Sequence, residues 1–353
     1  MIRVGLVGCG FIGSAHAYAI SRLAAAGLVD AELTAAFDDD FERAERLTKY
    51  NGGEPVSSVE ALIESVDVVW VCTWTSGHLP VVEAAADAGR AIFCEKPLAP
   101  TLQDAARVTS ALERVPHQVG LVLRWSPVFA RVAEIVRGGA YGRPLATTLR
   151  DDQYFPIQGI YRSTWRKDVA AAGGGTLIEH SIHDVDVLRW ILGDPQTVAA
   201  NTAQWFGHAG IDDIATVTCT YGDGSVSLLT SVWHQVMTRE SSRRLEIFCE
   251  RALLWTEDDY LGPLYVETAD GTEVLEHEMP SWASELDVPA EFRAPVAHYG
   301  APALAFLTAL ATKGADAVGH PRAAEALAAH RIVDRAYRSA EAGGAPEMLT
   351  AAD

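Results

Sequence analysis

Lysine is scarce in this chain: of 28 basic residues only four, Lys49, Lys96, Lys167 and Lys313, are lysine, and all basic residues together are outnumbered by 47 acidic ones, for a formal charge of −19. A protein so short of positive charge has little with which to neutralise a nucleic-acid backbone or to settle on an anionic membrane. The five cysteines (Cys9, Cys72, Cys94, Cys219, Cys249) are odd in number and widely spaced. They give neither a disulfide framework nor paired metal-ligand spacing, and read as thiols of a reducing compartment, the cytoplasm. No uninterrupted apolar run reaches the roughly 20 residues of a membrane helix, and nothing near Met1 reads as a signal peptide. What is plentiful is apolar sequence, 49% of 353 residues, enough for about two domains with their own cores.

Residues 1–124 alternate short β-rich runs (2–7, 31–37, 67–73, 91–94, 118–123) with helical patterns (14–26, 40–50, 77–88, 101–114). That rhythm predicts an α/β domain of the Rossmann type, a doubly wound parallel sheet. After Arg124 the pattern changes. Helices are expected at 127–138 and 177–192, then strands at 197–206, 212–221, 224–234, 243–250, 252–257, 263–268 and 272–277, then helices at 297–313 and 321–341. Residues 125–353 therefore read as an α+β domain with a large, mostly antiparallel sheet of consecutive strands, whose last helices can pack back on the first domain.

Three stretches carry chemistry. Gly8-Cys9-Gly10-Phe11-Ile12-Gly13 follows the first strand and opens a helix, the context in which G-x-G-x-x-G receives a dinucleotide pyrophosphate on free helix N–H groups. Asp38 closes the second strand, where a carboxylate meets the adenosine ribose hydroxyls or caps the next helix; with Asp39 and Asp40 beside it, a 2′-phosphate would be repelled, which favours NAD over NADP. Glu95-Lys96-Pro97 ends the 91–94 strand at the carboxyl edge where open α/β sheets bind ligands, and a lysine there can exchange a proton with a reacting hydroxyl or simply precede a turn.

The glycine loop, the Glu95-Lys96-Pro97 block and the later Gly173-Gly174-Gly175 stretch together resemble the Gfo/Idh/MocA family of glucose-fructose oxidoreductase and inositol dehydrogenase relatives, over nearly the whole chain. Thr73 and His78 are similar to the family's T-P-N-x-x-H loop, with Trp74 and Thr75 replacing its proline and asparagine; Trp74 either stacks on the nicotinamide, walls the pocket or packs under the loop. Val122–Pro127 resembles the segment joining the family's two domains. Residues 173–186 resemble G-G-G-x-L-x-D-x-G-x-H-x-x-D, with Glu179 on the aspartate, Ser181 on a frequent glycine and His183 on the histidine.

The resemblance implies that the chain oxidises a secondary alcohol of a sugar, inositol or related polyol. Lys96 would hydrogen-bond the reacting hydroxyl, His183 would act as general base with Lys96 as its competitor, and Glu179, placed at i and i+4 with His183 on one helix, would bind a neighbouring hydroxyl or tune the histidine. Gly8, Gly10, Phe11, Ile12, Gly13, Asp38, Thr73, Trp74, His78, Glu95 and Lys96 would hold the cofactor. Arg124, Tyr154, Tyr161, Trp165 and Arg166 would line the substrate cleft, although the aromatic ones also suit sheet packing, and Asp151 and Asp152 read as a solvated turn or as hydroxyl binders. No metal is expected, since adjacent Glu179 and His180 point apart and no further ligands lie near. A small neutral polyhydroxylated substrate fits best, without nucleic-acid or membrane partners. The resemblance leaves open a redox-neutral, NAD-dependent glycoside cleavage or a non-catalytic NAD- or sugar-sensing role, and implies a homodimer or homotetramer through the C-terminal sheet.

Overall fold

The structure, a computed structural model, describes residues 1–349 and divides into two units, Met1–Val122 with Met279–Leu327, and Leu123–Glu278 with the chain from Ala328 onward. In the first unit the order is β1 (Ile2–Val7), α1 (Phe11–Ala25), β2 (Ala31–Phe37), α2 (Phe41–Asn51), β3 (Glu54–Pro55), α3 (Val59–Ser65), β4 (Val68–Val71), α4 (His78–Asp87), β5 (Ala91–Cys94), α5 (Leu102–Leu112) and β6 (His117–Val119). The strands form one parallel sheet in the order β3-β2-β1-β4-β5-β6. Strands β4 and β5 are buried throughout, as expected when helices cover both faces of a sheet. The order reverses at β1, so the crevice beyond its carboxyl end, between β2 and β4, is the topological switch point. Helix α5 starts where its sequence signal says: Thr101 Oγ1 accepts from Asp104 N at 3.1 Å. Helix α3 carries no strong sequence signal and was not expected.

In the second unit α6 (Pro127–Arg137) leads to β7 (Pro144–Tyr154), the short helices α7 (Val169–Ala172) and α8 (Thr176–Glu179), α9 (Ile182–Leu192), and strands β8 (Thr197–Ala203), β9 (Ile214–Thr220), β10 (Val226–His234), β11 (Ser242–Cys249), β12 (Leu253–Thr256), β13 (Leu264–Thr268) and β14 (Gly271–Leu275). The chain then returns to the first unit through α10 (Ser281–Ser284) and α11 (Ala290–Lys313); α12 (Ala323–Glu341) and β15 (Glu347–Met348) end the described chain. Helix α11 has the length and composition to span a bilayer, but Ala303, Phe306 and Leu307 are core residues packed with Ile20 and Leu23 of α1.

The second sheet has nine strands in the order β14-β13-β12-β11-β7-β10-β9-β8-β15. It is mostly antiparallel, yet not simply consecutive. Strand β7, absent from the sequence expectation, lies in the middle, antiparallel to β11 and parallel to β10. Its second half, Arg150-Asp151-Asp152, reads as a turn because it is charged, but Asp151 and Asp152 are buried strand residues rather than a solvated turn. The core of this unit packs one sheet face, through Leu149, Leu229, Leu245 and Ile247, against apolar residues of α6, α9 and α12.

Candidate functional site

In the first unit the glycine loop is shaped by close backbone approach. Gly8 has φ +97, and a Cβ there would lie 2.5 Å from the Cys72 carbonyl; a Cβ on Gly13 would lie 2.0 Å from Gly8 O, inside any possible contact. By contrast, a Cβ on Gly10 would meet nothing within 4 Å, so the space over the loop is open. Helix α1 begins there with no side-chain cap on its N-terminus and no acidic residue in its first turn, so the positive end of its dipole faces the loop. Phe11 is exposed and Ile12 half-buried at its start. Asp38 Oδ2 accepts from Cys9 N at 2.7 Å, tying the end of β2 to the loop, while Oδ1 accepts from Asp40 N. Asp40, not Asp38, is the N-cap residue of α2. These features suit a dinucleotide: a loop shaped by close backbone approach, a helix start with neither side-chain cap nor acid, and a ribose-side carboxylate.

Two further loops meet at the same sheet edge. His78, almost fully buried, bridges them, with Nδ1 2.9 Å from Pro97 O and Nε2 3.2 Å from Thr73 O. Thr73 donates its hydroxyl to Trp74 O, and Trp74 is 41% exposed, so it does not pack beneath the loop. Glu95 is buried, accepting from Lys96 N at 3.1 Å and lying 2.9 Å from His16 Nε2. Burial pushes the Glu95 carboxyl up; the hydrogen bond and charge of His16, with Lys96, outweigh it and hold the group below its usual value. Lys96 follows, half-buried. His16, inside α1 with its ring edge-on to Phe93 and Tyr299, was not singled out in the sequence; an inward histidine on an otherwise apolar helix face is the signal it left.

In the second unit the expected single helix over 177–192 is broken. Helix α8 stops at Glu179, and α9 starts at Ile182. Ser181 N reaches back to Thr176 O and His183 N to His180 O, so the i to i+4 ladder is interrupted at this point. Glu179 and His183 therefore stand on either side of a bend and not one turn apart on a continuous helix. Glu179 is buried and takes Arg166 Nε at 3.1 Å on Oε2; the Arg166 guanidinium lies 4.5 Å over the Trp165 ring. His183 is 8% exposed. Tyr154 and Tyr161 have ring centres 5.6 Å apart. Arg124 is buried with both arms on Asp186, Nε to Oδ2 and Nη2 to Oδ1 at 2.7 Å each, an arrangement that holds α9 to the preceding segment.

The bend is anchored from below by Asp212 and Arg243, which no sequence motif marks, and by Asp151, which is neither a solvated turn residue nor exposed to a ligand. Asp212 accepts from Gly175 N at 2.7 Å, Leu177 N at 3.0 Å and the Tyr337 hydroxyl at 2.9 Å, capping α8 from a distant loop. Close approach explains the glycines before α8: a Cβ on Gly175 would sit 2.0 Å from Asp212 O. Burial raises the Asp212 carboxyl to about 6 against those three donors. Asp151 binds Ser181 Oγ at 2.7 Å and His180 Nε2 at 3.0 Å. Arg243 reaches Asp184 at 2.7 Å and Asp259 at 2.6 Å. The legible signal for Arg243 is parity: it shares the inward face of β11 with Leu245, Ile247 and Cys249. Asp151 shares the face of Leu149 in the same way.

The family description "Oxidoreductase family, NAD-binding Rossmann fold" matches residues 2–121, and "GFO/IDH/MocA C-terminal domain" matches residues 129–254. Among curated proteins, the chain is 30% identical to an inositol 2-dehydrogenase of Rhizobium meliloti over 336 residues, 87% of this chain and 95% of that one. It is 29% identical to a D-apiose dehydrogenase of Paraburkholderia graminis over 79% of this chain and 74% of that one. A levoglucosan dehydrogenase solved with NADH and L-sorbose shares the fold at 22% identity, with a TM-score of 0.85 and 99% coverage of both chains. An oxidoreductase from Agrobacterium radiobacter, solved with NAD+, L-tartaric acid and magnesium, does so at 22% identity, a TM-score of 0.79 and 98% coverage of both. With an NAD-binding Rossmann domain and a matching C-terminal domain on one chain, this protein belongs to the GFO/IDH/MocA family of oxidoreductases.

Proposed function

We propose that the enzyme oxidises a secondary hydroxyl of a neutral sugar, inositol or related polyol, with NAD preferred over NADP. NAD, when bound, supplies the hydride acceptor. Lys96 hydrogen-bonds the reacting hydroxyl and favours its alkoxide character, and His183 accepts the proton. Glu179 and Arg166, as a pair with almost no net charge, offer an acceptor and donors to the other hydroxyls, together with Tyr154 and Trp165. The carrying observation is the Glu179–Arg166 pair: the local cation is already matched, which suits a polyhydroxylated ligand better than an anion. The Asp38 carboxylate, beside Asp39 and Asp40 at the ribose end, supports NAD.

The test is a panel of inositols, aldoses and glycosides with NAD and NADP, following reduced nicotinamide. Net reduction of NAD with at least one inositol or aldose is expected; turnover of glycosides alone, with no net reduction, would replace this reading by redox-neutral cleavage. Assembly is part of the proposal. Val226, Leu228 and Phe248 are 40–46% exposed on the outer face of β10 and β11, which flank β7, where Phe248, Ala146 and Val226 stand in register. A second copy of the chain is the partner we assign to that face, giving a homodimer or homotetramer. A monomer by light scattering at micromolar concentration would contradict it.

A further inference from the structure

Beneath the bend between α8 and α9 lies a cluster with more buried acid than base. Asp151 on β7 and Asp184 on α9 are both fully buried. Arg243 is their shared buried cation, with Nε 2.7 Å from Asp184 Oδ1 and Nη2 3.6 Å from Asp151 Oδ1, and its remaining arm is taken by Asp259. His180 faces the same group, 3.0 Å from Asp151 and 3.3 Å from Arg243. Two buried carboxylates beside one arginine that is already shared with a third acid cannot both stay ionised without a large desolvation cost.

The hydrogen bonds say where the compensating proton sits. Asp151 Oδ2 accepts from the Ser181 hydroxyl, and its Oδ1 faces His180 Nε2 at 3.0 Å and Arg243 Nη2 at 3.6 Å. Asp184 Oδ1 is engaged by Arg243, but Asp184 Oδ2, equally buried, has no donor among the described residues, while Asp151 lies across the same guanidinium, 3.6 Å from Arg243 Nη2. A carboxylate oxygen beside another carboxylate gains a partner only if it carries hydrogen.

We propose that Asp184 carries a proton on Oδ2, shared with the Asp151 carboxylate, and that this acid–carboxylate pair, bridged by Arg243, positions the bend bearing Glu179 and His183. The pair grips His180, Ser181 and Asp184, the residues that interrupt the helix and border His183. Burial and the neighbouring Asp151 raise the Asp184 carboxyl to about 7, against Arg243 and His180, so the grip weakens above neutrality. Asp151, Asp184 and Arg243 are thus positioning residues, acting through the bend and not on substrate. The effect on turnover rests on the function proposed above; the proton itself does not.

The direct test is infrared spectroscopy of the whole protein, following the carboxylic-acid C=O stretch as pH is raised, with Asp184→Asn as the control. We expect a buried-acid band in the wild type at pH 6 that fades with a midpoint near 7 and is missing from Asp184→Asn. Asparagine mimics the protonated acid, so kcat of Asp184→Asn should stay within about threefold of wild type, with the alkaline fall of kcat removed and KM changed by less than about twofold. Absence of any such band in the wild type overturns the proposal, even if the variant fails to fold. So does a folded Asp184→Asn that keeps the wild-type alkaline fall. A titrating band in an enzyme that turns over no polyol would refute the proposed substrate class and leave the shared proton standing.

Discussion

In the first unit, site residues are brought together by what is missing: a Cβ on Gly13 would lie 2.0 Å from Gly8 O, and Asp38 receives backbone N–H groups and no side-chain cation. In the second unit they are held by buried charge, with Arg124 on Asp186, Arg166 on Glu179 and Arg243 among Asp151, Asp184 and Asp259. A backbone-built loop tolerates no added atom at Gly8 or Gly13, and its hydrogen bonds carry no titrating donor, the buried Glu95–His16 pair being the charged part of this unit. A charge-built site tolerates changes of shape better than the loss of one partner, and it titrates. Under the proposed function the division suits the two tasks, since a dinucleotide is bound largely by its backbone-facing phosphates whereas a polyol is recognised by side-chain donors and acceptors.

The sharpest way to break the comparison is Gly13→Ala. Its methyl meets backbone and not a movable side chain, so we expect NAD binding to be lost and the first unit to be destabilised by about 3 kcal/mol, read by titration calorimetry and thermal melting. Next is Arg124→Ala, which strands the buried Asp186 carboxylate and should cost about 3–5 kcal/mol of stability in denaturant unfolding, with NAD affinity little changed. Third is pH. The Asp184 and Asp212 carboxyls are raised in the folded state, to about 7 and about 6. The stability they contribute is therefore fully present below their unfolded value near 3.8 and is lost progressively as pH rises through 6 to 7, by several kcal/mol in melting experiments. Asp184→Asn should flatten the upper part of that loss. The smallest effect is on cofactor choice: Asp38→Ser should raise kcat/KM with NADP relative to NAD by about tenfold, a difference near 1.4 kcal/mol.

The same contrast governs what could be read from the sequence. The glycine loop, Asp38 and the parallel strands are local patterns, each fixed within a few residues, and they lie where expected; Thr101 capping α5 is another. The second unit's network joins residue 151 to 184 and 243, a separation that no local pattern encodes. Strand β7 escaped notice for the same reason, because its charged second half is buried only through partners far along the chain. The broken helix is equally non-local: residues 177–192 have a continuous helical pattern, and the interruption falls where Asp151, from a distant strand, contacts His180 and Ser181. The acid excess between Arg251 and Arg293 reads as a remote solubilising surface, yet Asp259 within it closes on Arg243 beneath the bend.

The proposed roles of Lys96 and His183 are decided by comparing wild type, Lys96→Met and His183→Asn, combining NADH binding with steady-state reduction of NAD by the best polyol of the panel. The expected result is that His183→Asn binds NADH within about twofold of wild type, and that each variant loses kcat by at least about 10²-fold. Wild-type turnover in either variant, with the protein folded, would contradict it.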